Sequence, residues 1–277
     1  MILKSKKINT SLILIINIIL LIVSFFLYKY IFEVENLKKT YSEETTKFIE
    51  DNKNPVFKIG QIILYSNANA VDKSNGELKD IDISQFTDIA IYIDNKIKNE
   101  EITAENTINQ MYITNIKIEN KSINGEKILN YKNPKMSGKY VDLSNWKDDG
   151  ILFNIARTNE ENKNANYDEN IFYTDCSNPI SLGYINKNIL TGCEVSKEVG
   201  TIEFDGKILK KANVNLDDLK TKISFSINIT NNYNEKFQCN LDLDIDLKSE
   251  DEGIYSGYLI KMLNPEGEKY NFIKVQD

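Results

Sequence analysis

Asp242, Asp244 and Asp246 stand at every second position, with Glu250, Asp251 and Glu252 close behind. Carboxylate oxygens gathered in this way suit calcium, which makes the three aspartates the candidate metal ligands. The run is not a helix–loop–helix calcium loop. Counted from Asp242, its sixth position is Leu247 where glycine is needed, and its twelfth is Gly253 where glutamate is needed. Leu243, Ile245 and Leu247 between and after the aspartates mark a strand. Its wet face would carry three like charges, which gain from lysines on a neighbouring strand.

Three cysteines are the next reactive groups. Outside the cytoplasm Cys176 and Cys193 are a candidate disulfide, closing a short loop worth about 3 kcal/mol. Cys239 falls on the apolar side of the aspartate strand and reads as a small core residue. No histidine occurs anywhere in the chain. That excludes Ser-His-Asp and Cys-His catalysis, imidazole zinc sites and the usual proton switch near neutrality. With 41 acidic residues and no motif, no carboxylate pair for glycoside hydrolysis stands out. Trp146, the single tryptophan, lies in a long polar stretch and is the candidate partner-contact residue. Asn120-Lys121-Ser122 and Asn228-Ile229-Thr230 match the glycosylation pattern, as chance predicts in an Asn-rich chain. No catalytic residue and no bound cofactor is expected, calcium being the one ion the residues suggest.

What must position these groups is mostly strand. Phe57 to Tyr65, Ile89 to Ile93, Met111 to Ile118, Ile151 to Arg157, Ile171 to Thr174, Thr201 to Phe204 and Ile208 to Ala212 all read as strands. Lys222 to Leu247 reads as a hairpin about the polar turn Asn231 to Glu235. Ile223, Phe225, Ile227 and Ile229 share one face, and Phe237, Cys239, Leu241, Leu243, Ile245 and Leu247 one face of the return strand. Ile254 to Met262 and Tyr270 to Val275 complete the pattern. Thr103 to Gln110 reads as a short helix, Tyr131 to Gly150 as a long loop and Thr158 to Asn170 as a polar loop. The expectation is an all-β fold over residues 55–277, an antiparallel β-sandwich. It is either one large sandwich or two small ones in tandem, divided near 131–150.

Before the strands comes Ile8 to Tyr28, a run free of charge. As a helix it spans about 31 Å, the thickness of a bilayer's hydrocarbon core. Bulky or charged residues follow it where a cleaved signal would carry small ones, so an uncleaved single-pass anchor is expected. Lys4, Lys6 and Lys7 put residues 1–7 in the cytoplasm and the rest outside the cell membrane. Residues 29–54 read as a helical stalk ending before Asn54-Pro55.

Setting those three lysines aside leaves 31 basic residues against 41 acidic, a formal charge of about −10. An acidic ectodomain of this kind disfavours nucleic acid as a partner and favours another surface or membrane protein. The scarcity of arginine, with Arg157 alone, beside abundant Lys, Asn and Ile reads as AT-rich coding in a bacterium.

The basic start, apolar helix, amphipathic continuation and β-domain resemble the layout of type IV pilins and pseudopilins. The resemblance covers the first fifty residues as architecture, and it implies cleavage near Lys7. Lys7-Ile8-Asn9-Thr10-Ser11 departs from that family's processing site in having neither its glycine nor its glutamate. The sequence thus points to a membrane-tethered, non-catalytic β-domain that binds or scaffolds at the cell surface. A cell-wall enzyme working through Asp/Glu pairs and a pilin-like subunit are the alternatives.

Overall fold

The computed structural model describes residues 10–53, 55–95, 103–120, 124–132, 140–141, 150–164, 172–174, 179–195 and 204–275. The chain divides into two compact units, Met1–Asp51 and Asn52–Asp277.

The first unit is one α-helix, α1, Thr10–Lys53. Within the described residues Ile15–Glu43 is long and apolar enough to cross a membrane. Leu21 is 71% exposed and Phe25 66%, exposures that the core helix of a soluble domain does not tolerate in such a run. Past the apolar stretch Lys29 reaches Glu33 and Lys39 reaches Glu43, both at 3.9 Å and one helical turn apart. The expected stalk is therefore a continuation of the same helix. It stops at Lys53, two residues short of Pro55.

The second unit is a β-sandwich. Its strands are β1 Phe57–Asp72, β2 Ile81–Asn95, β3 Ile108–Asn120, β4 Glu126–Lys132, β5 Tyr140–Val141 and β6 Gly150–Ala156. There follow β7 Phe172–Thr174, β8 Ile180–Cys193, β9 Thr221–Asn231, β10 Lys236–Ile245, β11 Leu259–Leu263 and β12 Ile273–Val275. One sheet has the order β11-β1-β2-β8-β4-β5 and the other β12-β10-β9-β3-β6-β7. Every pairing is antiparallel except β6 with β7. Strands from both sides of residues 131–150 share each sheet, since β4 pairs with β8 and β3 with both β6 and β9. The unit is one large sandwich and not a tandem pair.

Alternation builds the core. On β9 and β10 Ile223, Ile227, Ile229, Leu241 and Leu243 are buried, as the hairpin pattern requires. Rings close the gap between the sheets, Phe57 against Phe237 at 5.4 Å and Tyr131 against Phe153 at 6.0 Å, both edge to face.

Several segments differ from the sequence reading. Thr103 to Thr107 is an irregular turn, not a helix, because the Asn106 side chain accepts from the Thr103 N–H at 2.9 Å and Ile108 already joins the sheet. Ile208 to Ala212 is not a strand but the short helix α3, Lys207–Lys211. Its neighbours Ile208 and Leu209 are both buried, which a strand edge does not allow. Ile254 to Met262 is a 3-10 turn, Gly253–Ser256, followed by β11, and β12 begins only at Ile273. The polar run after Arg157 opens with a helix, α2, Asn159–Asn164. Thr158 and Glu161 cap it reciprocally: the Glu161 N–H donates to Thr158 Oγ1 at 3.1 Å, and the Thr158 N–H donates to the Glu161 carboxylate at 3.0 Å.

Candidate functional site

Asp242 and Asp244 lie on the outward face of β10, and Asp246 follows its last residue. Asp244 is in register with Lys222 of β9, and Lys222 with Glu119 of β3, so acid, base and acid form one row across three strands. One step along β10, Lys222 Nζ lies 3.3 Å from Asp242. Lys220 lies 3.1 Å from Asp246 and 3.6 Å from Asp217, and Lys248 lies 2.6 Å from Asp217. The lysines that the like charges call for are in place.

These partners set the proton affinities. The Ser224 hydroxyl, then the Lys222 ammonium, hold Asp242 below the usual carboxylate range. Burial pushes Asp246 up, but the Lys248 N–H and the Lys220 ammonium outweigh it, and its pKa falls. The bond to Lys248 lowers Asp217, and the bond to Asp246 raises Lys220. Among the described residues no three acidic or thiol side chains converge to hold a metal. Asp242 and Asp246 are each paired with a lysine, Lys222 and Lys220.

Where β3, β9 and β10 end side by side lies a cleft of about 540 Å3, lined by Glu119, Asn120, Lys220, Thr221, Lys222, Asp244, Ile245 and Asp246. Two of these residues, Asn120 and Thr221, tie the sheets together through Tyr184. Tyr184 of β8 is fully buried, and its hydroxyl lies 3.1 Å from Thr221 Oγ1 while accepting from Asn120 Nδ2 at 3.1 Å. Burial raises the Tyr184 pKa, so this hydroxyl is a neutral hydrogen-bonding group. Glu119 and Asp244 line the wall without a hydrogen bond or ion pair among the described residues. The cleft thus presents three carboxylates, Glu119, Asp244 and Asp246, beside two ammonium groups, Lys220 and Lys222.

The first sheet also buries several polar side chains. Ser66 Oγ and Thr87 Oγ1 are 2.7 Å apart, and Gln85 Nε2 donates to Thr87 Oγ1 at 2.7 Å. Gln85 is in register with Asn186, and both are fully buried. Among the described residues Gln85 Oε1 and both amide atoms of Asn186 find no partner. Sequence reasoning missed this seam, although polar residues at inward positions of an otherwise apolar alternation were its visible signal.

Cys193 ends β8, half-buried, its Sγ 3.3 Å from the Ile81 carbonyl oxygen, and burial raises its pKa. Cys176, its expected partner, lies outside the described residues, as does Trp146. Cys239 is buried as expected, and burial pushes its thiol up to about 12.

Comparison of the chain with protein-family models, with curated proteins and with solved structures finds no match. The class that fold and site define is an all-β sandwich in a chain that also carries an apolar helix of membrane-crossing length near its start.

Proposed function

We propose that this protein is a single-pass membrane protein whose β-sandwich faces outward and binds another surface component without catalysis. The observation that carries the reading is α1, with an apolar stretch of spanning length whose side chains from Ile15 to Phe32 are exposed, in a chain whose other unit is a charged sandwich. The cationic flank Lys4, Lys6 and Lys7 supports an inward amino terminus. The lack of histidine supports a binding role over the common catalytic ones. The net negative charge of the region after the apolar run supports a partner that presents basic groups.

Alkaline carbonate extraction of membranes from cells expressing the full chain tests the anchor. The intact chain, with its own amino terminus, is expected in the membrane pellet. Release into the supernatant, or a mature protein beginning after Tyr28, would contradict an anchor and indicate a cleaved signal.

A further inference from the structure

Each of the two sheets has two edges, and among the described residues three of the four edge strands are very short. β5 has two residues, β7 three and β12 three. The flank of β12 also carries charge, Lys274 being paired with Glu235. Such features keep an edge from recruiting another chain. The fourth edge, β11, is the longest of the four among the described residues, with five, and its one charge is Lys261 at the centre. Ile260 is 49% exposed, Met262 64% and Leu263 36%, and Tyr258 just before them is 58% exposed with its ring stacked on Tyr65 at 5.8 Å. The neighbouring strand prolongs this surface, because Ile260 sits beside Tyr65 and Met262 beside Ile63.

The residues of β11 also say what fits there. Leu259-Ile260-Lys261-Met262-Leu263 is symmetric in character about its centre. If a second copy of β11 is laid antiparallel about Lys261, Ile260 meets Met262 and Leu259 meets Leu263. Both strands then gain the same contacts, which is the requirement for a two-fold interface. The lysines that come face to face are not bare charges. Each Lys261 Nζ bonds the backbone carbonyl of its own Asp246, whose carboxylate lies close enough to be held down by that charge. The cross-strand penalty for like charges is offset inside each copy. We infer that β11 is a dimerisation edge, through which two copies of this chain join their six-stranded sheets into one continuous sheet. The pairing consumes the same edge on both copies, so the assembly closes at two.

Light scattering on the full chain in detergent, across a range of concentrations, tests this inference. The expected protein mass at the upper end is twice 31.9 kDa, falling to 31.9 kDa for Ile260→Lys combined with Met262→Lys. Hydrogen exchange of the wild-type chain is a second readout that needs no variant to fold. The amides of Leu259–Leu263 should slow about tenfold or more as the protein is concentrated. A wild-type chain that stays monomeric throughout overturns the inference and leaves the edge to a different partner. So does a double-lysine variant that keeps the doubled mass, which would place the association elsewhere, in α1 for example. Exchange at β11 that remains fast at every concentration overturns it as well.

Discussion

Single residues here are governed mainly by who shares their surroundings. Cys239 and Cys193 are the same side chain, yet burial pushes Cys239 up to about 12 and leaves it 2% exposed. Thiol chemistry needs the thiolate. A maleimide or iodoacetamide reagent at pH 8 should therefore leave Cys239 unmodified in the folded chain and label it after denaturation, as peptide mass mapping would read out. Labelling of Cys239 at native rates would contradict its place in the core. The aspartates carry a second prediction. Asp217, Asp242 and Asp246 all have folded pKa values below the ordinary 3.8. Their contribution to stability is whole above 3.8 and is lost as the pH falls through the lower folded values. No histidine adds a slope near neutrality. The melting temperature should be nearly flat between about pH 7 and 5, then drop below pH 3.8, and Asp242→Asn should make that acid slope shallower. A steep loss already at pH 6 would contradict this.

At the scale of elements, the sequence was legible where one face is consistently apolar. The β9–β10 hairpin falls where its alternation puts it, because Ile223 to Ile229 and Phe237 to Leu247 keep a strict period of two. β2 begins at Ile81, eight residues before the strand read from sequence, since Gln85 and Thr87 occupy inward positions and break the apolar pattern. β8 was missed altogether. Gly183, Asn186 and Asn188 read locally as loop, and the strand exists because β2 and β4 pair with it on either side. α2 was missed for a different reason: Thr158-Asn159-Glu160-Glu161 is a capping box, visible in sequence, with no apolar face behind it. The site divides in the same way. The aspartate row was readable, whereas the cleft depends on Glu119, Asn120 and Tyr184, which only the register brings near it. Two substitutions test the packing. Ile227→Ala, at a fully buried position of the central strand, should cost about 2–5 kcal/mol. Gly206 precedes α3, and an added Cβ there would lie 2.2 Å from the Ile254 carbonyl oxygen and 2.7 Å from that of Gly257. Backbone on that side cannot yield, so Gly206→Ala should cost about 1–3 kcal/mol by overpacking. Chemical denaturation measures both, and a change below about 0.5 kcal/mol at either site would contradict the packing described.

For the whole molecule, two physical regimes meet in one chain. α1 exposes Leu, Ile and Phe that only a lipid or detergent environment makes favourable, and the sandwich buries the same residue types between two sheets. The proposed function joins them by topology, with the helix across the membrane and the sandwich outside. Labelling intact cells with a membrane-impermeant amine reagent, followed by peptide mass mapping, tests it most directly. The account predicts label on sandwich lysines such as Lys58 and Lys187, with Lys4 and Lys6 modified only after the cells are broken open. Sandwich lysines that stay unlabelled until lysis, or amino-terminal lysines that label on intact cells, would contradict it.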